Sequence, residues 1–312
     1  MKGKILITDS LFIFPEHEKM LTDAGYEIER LDKPKASEEE LVEAVKGKVG
    51  YILGGIEHIT EKIIDAADSL KVITFTGIGY KDLIPAWEYA TKKGIAITNT
   101  PDAPTHAVAE WALTVTLAMN RGVFDLGRGG QKDFMTTKGL EGLNIGIVGF
   151  GRIGRRIAEM IKPFRPGSVS YYSKHHHESD EQRLGASYKE LDELMTQSDV
   201  IFVCVSKDAG ENFLNTKELS VVKNGSLLVS FMHPGIINED ALFEAVKSGN
   251  LRVASDVPFK NPAFKDFPLS AAFCFNGSNA FNTAKELKIT SDTATQSILN
   301  ILETGKDEYR VN

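Results

Sequence analysis

Six residues, Gly149-Phe150-Gly151-Arg152-Ile153-Gly154, have the types and spacing to cradle a phosphate. The apolar run Asn144–Val148 leads into them, and the amphipathic stretch from Arg155 follows. In G-x-G-x-x-G the first glycine allows a tight turn, the second lets the backbone approach a pyrophosphate, and the third lets helix pack closely on strand. The helix start adds free N–H groups and the positive end of its dipole. A glycine-rich turn also serves as a plain strand-to-helix connection. A strand pattern before it and a helix pattern after it point instead to a dinucleotide site, with Gly149, Gly151, Arg152, Ile153 and Gly154 as contacts.

Such a loop needs a parallel sheet beneath it, and the chain has the patterning for two. At 312 residues it is too long for one ordinary core. Residues 4–100 alternate strand candidates (Ile5–Ile7, Gly50–Leu53, Val72–Phe75, Ile95–Asn99) with helix candidates (Glu16–Ala24, Ser37–Val45, Thr60–Ala67, Ile84–Lys93). Ser37 with Glu40 forms a capping-box pattern. Asn99–Pro104 reads as a hinge before the long helix pattern Thr105–Arg121, and Gly127–Gly142 is polar and glycine-rich. Further strands are predicted at Val169–Tyr172, Val200–Val205, Ser226–Val229 and Val253–Ala254, and a last helix at Ser291–Thr304. This alternation predicts an α/β fold of two Rossmann-like, doubly wound parallel-sheet domains.

Bulk composition narrows the partners. The chain is 42% hydrophobic and 25% charged, with a formal net charge of -7. That balance argues against nucleic acid or an anionic membrane as the main partner. No apolar run approaches the length of a membrane span. The N-terminus reads as a first strand rather than a signal peptide. Cys204 and Cys274 stand isolated in apolar contexts, which suits a reducing cytoplasmic compartment, and neither belongs to a metal-ligand pair.

Four segments resemble the D-isomer-specific 2-hydroxyacid dehydrogenase family along nearly the whole chain. They are Asn99-Thr100-Pro101 with Ala107–Glu110, Val148–Gly154, Ile237–Leu242 with Lys247-Ser248-Gly249, and Tyr309–Asn312. The resemblance implies a substrate domain of residues 1–100, a dinucleotide-binding domain of 101–286, and a segment 287–312 returning to the first domain. It implies that coenzyme and substrate meet in an interdomain cleft. It also implies a homodimer through the Thr105–Arg121 region. The implied reaction moves a hydride between a nicotinamide and C2 of a 2-hydroxy or 2-oxo acid.

That chemistry needs a cation for the carboxylate, a proton donor for the alkoxide, and an acid that fixes the donor's tautomer. The family uses Arg, Glu and His. Matched residue by residue, the Arg position holds His233, the Glu position Asn261 and the His position Asn276. No histidine lies between Pro234 and Asn312. Asn276 can bond a carbonyl but delivers no proton. Two readings fit His233, a charge or proton donor working from the Arg position, or a polar filler beside Pro234. His106 reads as helix-terminal; His17 and His58 read as structural.

The resemblance places the coenzyme selector at the end of the second strand of the dinucleotide domain. Ser173 stands where an acid normally accepts the ribose hydroxyls, followed by Lys174 and His175, and no acid appears before Glu178. Such a set suits a 2′-phosphate, so NADP(H) is expected over NAD(H). A loop with no selective contact is the plainer alternative. Thr105 matches a hydroxyl near a phosphate, Val205 and Ser206 a strand end under adenosine, and Phe231 and Met232 backbone beside the nicotinamide. Asp256 matches a carboxamide partner or caps a turn. Gly77, Ile78 and Gly79 resemble a loop whose amides hold the substrate carboxylate, with Lys81 replacing an Asp. Phe231, Met232, Phe275 and Phe281 imply a larger or more apolar occupant. The expected ligand is a small anionic substrate. A catalytically silent dinucleotide-binding sensor or interaction protein is the alternative.

Overall fold

The computed structural model describes residues 1–9, 13–33, 35–101, 104–127, 136–231, 235–274 and 280–312. The chain divides into two compact units, Met1–Pro104 with Thr283–Asn312, and Thr105–Asn282. Expectation had set the joints at 100/101 and 286/287. The later joint falls at Thr283, the N-cap of the last helix, whose hydroxyl accepts from the Glu286 amide at 3.3 Å.

In the first unit, β1 (Gly3–Thr8), β2 (Tyr26–Leu31), β3 (Lys48–Leu53), β4 (Val72–Phe75) and β5 (Ala96–Thr98) form a sheet of order β2-β1-β3-β4-β5. All its pairs are parallel. The order reverses between β1 and β3, which is where open α/β sheets place ligands, beyond the carboxyl ends of the strands. Gly54, just past β3, holds this junction tight: an added Cβ would meet the Thr8 carbonyl oxygen at 2.5 Å. The capping box forms as expected, with Glu40 N–H to Ser37 Oγ at 3.2 Å and Ser37 N–H to Glu40 Oε2 at 3.0 Å. The predicted helix Ile84–Lys93 is shortened to Trp87–Lys92, and a separate short helix, Tyr80–Leu83, precedes it. Pro85 interrupts the pattern between them.

The final helix, Ala284–Thr304, starts seven residues before its predicted Ser291 and belongs to this unit. Its Ile298 and Ile301 pack with Ile5, Ile7 and Ile52. Beyond it, Val311 N–H donates to the Ile97 carbonyl at 2.9 Å. Asn312 adds side-chain bonds to Ile97 N–H, the Ile95 carbonyl and Thr91 Oγ1 at 2.7–2.9 Å, so the tail runs along β5.

The second unit holds β6 (Asn144–Val148), β7 (Ser168–Tyr172), β8 (Ser187–Tyr188), β9 (Val200–Val203), β10 (Ser226–Ser230), β11 (Leu251–Ser255) and β12 (Ala272–Cys274). The order is β12-β11-β10-β9-β6-β7-β8, again parallel, with its reversal between β6 and β9. One face is covered by the helices Thr105–Asn120 and Arg152–Ile161, whose Ala109, Ala112, Ile157 and Ala158 share a core with Ile145 and Phe202. Both units are Rossmann-like. No helix among the described residues is long and apolar enough to cross a membrane.

Candidate active site

The glycine loop leaves β6 at the point where the strand order reverses. Gly149 has φ +99°, and a Cβ there would sit 2.7–2.8 Å from backbone atoms of Cys204 and Val205. Only glycine tolerates both conditions. Its N–H donates to the Tyr172 carbonyl at 2.8 Å, pinning the turn to β7. Gly154 is buried, and its added Cβ would meet the Gly149 carbonyl oxygen at 2.3 Å. Gly151 differs: nothing lies within 4 Å of its Cβ position. No side chain caps the helix that starts at Arg152. The first-turn amides of a helix lack internal acceptors. The Thr105 hydroxyl is likewise buried without a hydrogen-bond partner among the described residues.

An open space beside Gly151, an uncapped ten-residue helix and an orphaned hydroxyl suit an anionic group. The residues therefore fit a dinucleotide, with Gly149–Gly154 and the helix start against its pyrophosphate and Thr105 against a phosphate oxygen. When bound, such a coenzyme supplies hydride transfer.

Past β7, Ser173 donates to the His175 carbonyl, and Lys174 and His175 are exposed. Of the acids that follow, Glu178 is exposed and the next two are committed elsewhere. Asp180 pairs with Arg183 at 2.7 Å and Arg155 at 3.1 Å; the Arg183 bond leads in holding its carboxyl below the ordinary value. Glu181 takes the Tyr171 phenol at 2.5 Å, and burial first, then that bond, pushes Tyr171 up to about 12. The His175–His177 triplet is only partly solvated: His176 stacks on Tyr188 at 3.8 Å, and His177 N–H donates to Tyr171 Oη.

β9 ends at Val203, short of the predicted Val205. Val205 borders Gly149 and Ser206 is exposed. Burial pushes the Cys204 thiol up, which removes it as a nucleophile. Phe231 packs half-buried on the main core of its unit. Asp256 is buried just past β11, where its Oδ1 accepts from Ala280 N–H at 3.0 Å, a tie to a segment 24 residues further along the chain. Asn261 is no free polar group in a site. Its carboxamide oxygen accepts from Ala263 N–H at 3.0 Å and starts the turn Pro262–Asp266, so its side chain is a cap. His106 is also engaged, its Nδ1 accepting from Arg156 Nε and Nη2 at 3.0 and 2.8 Å. Met232, His233, Phe275 and Asn276 lie outside the described residues.

In the first unit the loop after β4 has its carbonyls tied back. Gly77 O accepts from Thr100 N–H at 3.0 Å, and Ile78 O from Asn99 Nδ2 and Tyr80 N–H at 3.0 and 2.9 Å. The amides of Gly77, Ile78 and Gly79 have no such partner among the described residues. These are three consecutive N–H groups without an acceptor among the described residues, on a half-exposed loop. Lys81 lies over the Trp87 ring at 5.0 Å. Sequence reasoning missed a buried chain beneath this edge. Thr8 Oγ1 and Tyr51 Oη are 3.2 Å apart, and Tyr51 Oη donates to Glu57 Oε1 at 2.9 Å. Burial, with the Glu57 charge, pushes the Tyr51 phenol well up. The one signal was the acid Glu57 in the short stretch Gly54–Ile59 that follows an apolar strand.

Residues 113–276 match the family model for the D-isomer specific 2-hydroxyacid dehydrogenase, NAD binding domain. The chain belongs to this family. A glyoxylate reductase from Pyrococcus furiosus is 30% identical over 280 residues, 84% of this chain and 82% of that one. A D-3-phosphoglycerate dehydrogenase from Methanocaldococcus jannaschii is 31% identical over 276 residues, 85% of this chain and 51% of that one. A solved Thermus thermophilus structure superposes with TM-score 0.87 at 25% identity, covering 99% of this chain and all of that one. An acyclic imino acid reductase in complex with NADPH and D-Arg shares the fold, with TM-score 0.86 at 20% identity and 99% of this chain covered. The family and the loop geometry together make this a nicotinamide-dinucleotide-binding protein with oxidoreductase relatives.

Proposed function

We propose that this protein is an NADP(H)-favouring oxidoreductase with a rebuilt active site. It reduces a carbonyl or related unsaturated group on a small anionic substrate. One juxtaposition carries the reading. The glycine loop and the unpaired Gly77–Gly79 amides support an anionic coenzyme and substrate, while the family's Arg, Glu and His positions hold His233, Asn261 and Asn276. A general acid contributes about 10²–10⁴-fold, so the ordinary 2-oxo acids are poor substrates here. The proton comes from His233 or from water. Ser173, Lys174 and His175 receive the 2′-phosphate, supported by the commitment of Asp180 and Glu181 to other partners. The protein works in the cytoplasm as a homodimer joined through the Thr105–Arg121 region, a reading to which exposed Val123 and Leu126 lend an apolar surface.

The test is NADPH and NADH oxidation with a panel of 2-oxo acids and 2-imino acids. Slow or absent turnover of glyoxylate, hydroxypyruvate and pyruvate, with NADPH bound more tightly than NADH, is expected. Rapid turnover of those three overturns the rebuilt site. If His233→Gln leaves an identified activity untouched, His233 has no part in it. The same missing trio favours a second reading, a silent dinucleotide sensor, which predicts coenzyme binding with no turnover across the panel.

A further inference from the structure

Arg252 is a half-buried cation with only a neutral partner. It stands second in β11, on the face that Ala254 shares with the helix Thr105–Asn120. Its Nη2 donates to Asn120 Oδ1 at 2.8 Å, and no carboxylate among the described residues pairs with it. Burial pulls the guanidinium below its ordinary value, as happens to a charge taken from water without an opposite charge beside it. Asn120 is 6% exposed, and its amino group, on the same carbon as that oxygen, has no acceptor among the described residues. Buried donors are rarely left so, because the lost bond to water is not replaced. Two sets of donors thus stand together, and the missing group is an acceptor.

Two more cations come to this end of the sheet. The Asn120 carbonyl accepts from Lys138 N–H at 3.1 Å, and the Lys138 ammonium lies 3.8 Å from where a Cβ on Gly225 would sit. Gly225 directly precedes β10, and its N–H donates to the Asn250 carbonyl at 2.8 Å, two residues before Arg252. Lys138 and Arg252 therefore reach the amino ends of neighbouring strands. Arg121, next after Asn120, donates from Nε to Thr137 Oγ1 at 3.0 Å, one residue before Lys138. None of the three forms an ion pair with another described residue, although acids outnumber these bases 43 to 36 in the chain. Of the acids on flanking segments, Glu141 pairs with Arg165, and Asp125 pairs with none of the three. The carboxyl end of the helix Thr105–Asn120 accounts for part of this charge. Its dipole is worth roughly half a negative charge, and three full positive charges exceed it.

This place is distinct from the glycine loop. The sheet is parallel, so Gly149–Gly154, past the carboxyl end of β6, and Arg252, near the amino end of β11, lie at opposite ends of it. A five-residue strand separates those ends by about 16 Å.

We propose that Arg252, Lys138 and Asn120 receive the phosphate group of a small molecule at a second anion site in this unit. The planar guanidinium keeps N–H groups free for two phosphate oxygens, Lys138 adds a point charge, and the Asn120 amino group gains its acceptor. Arg121 strengthens the attraction from the rim. So much positive charge selects a dianion over a monoanion. The site needs no bound coenzyme and stands apart from the reading of the reaction.

The probe is inorganic phosphate, titrated into the full-length protein with NADP present to fill the glycine loop. Calorimetry gives the affinity, and NMR of isotope-labelled arginine side chains follows Arg252, assigned with Arg252→Gln. Phosphate is expected to bind and to move the Arg252 signal, whereas acetate at equal ionic strength leaves it in place. Arg252→Gln is expected to weaken phosphate about tenfold or more while NADP affinity stays within about twofold. Arg252 borders a core, so exposed Lys138→Gln is the second variant, expected to weaken phosphate several-fold with an unchanged melting temperature. Equal phosphate affinity in the parent and both variants overturns the proposal. It also falls if phosphate does not bind and Arg252→Gln instead weakens self-association in sedimentation, since the patch is then a contact between copies.

Discussion

Gly151 and Gly154 stand one helical turn apart yet face opposite surroundings. The Cβ of an alanine at 151 meets open space, whereas at 154 it meets the Gly149 carbonyl at 2.3 Å. Gly154→Ala is therefore expected to destabilise the protein by roughly 1–3 kcal/mol, the usual range for overpacking. Gly151→Val is expected to melt within a few degrees of the parent while losing at least tenfold in coenzyme affinity, because its side chain fills the phosphate space. Chemical denaturation and calorimetry read the two effects separately. Equal destabilisation by both changes would remove the phosphate role of Gly151. These positions were legible in the sequence because their demands are local: a turn, a close approach, a helix start. The Thr8–Tyr51–Glu57 chain was not, since residues 43 apart meet only through the pairing of β1 with β3. Asn261 misled for the opposite reason. Its position in a family pattern says nothing of the N-cap role that proline at the next residue favours.

Among elements, buried strands with continuous apolar runs were readable, and half-exposed edges were not. β2 carries Glu27, Glu29 and Arg30, with one buried residue in six, so its alternation was hidden. β8 has two residues and β12 three, too short for any period to show. Helix boundaries moved where tertiary partners decided them, as with the early start of Ala284–Thr304. One bracket between elements carries a pH prediction. His17, on the helix Pro15–Asp23, and Lys288 both bond Asp292 on the last helix. Burial raises the Asp292 carboxyl, but the Lys288 and His17 bonds outweigh it and the net shift is downward. A depressed carboxylate stabilises the fold above its unfolded pKa of about 3.9 and ceases to as pH falls through the folded value. Melting curves should thus show the parent losing more stability than Asp292→Asn between about pH 5 and pH 2. The half-exposed site keeps the difference small. Parallel losses would mean that the bracket contributes nothing.

At the scale of the molecule, the Gly149–Gly154 loop and the Gly77–Gly79 loop fall in different compact units, each beyond the strand ends of its own sheet. NADPH is therefore expected to protect the second unit selectively. Saturation at a hundred times Kd adds about 2.7 kcal/mol to the unit that binds it. Hydrogen exchange should slow in β6, β7 and β9 and change far less in β1 and β3. Uniform protection of both sheets would show that the units do not respond to the coenzyme separately.

The first unit is assembled from the two ends of the chain, with Ile298 and Ile301 completing a core begun by Ile5 and Ile7. During synthesis on the ribosome, the unbroken second unit can finish first. The opening hundred residues must wait, their apolar sheet face uncovered, until the helix Ala284–Thr304 has been made. That interval is when a chaperone would find this protein. A truncation short of residue 298 should leave nascent chains that aggregate through β1 and β3, even though the nucleotide unit beside them has folded.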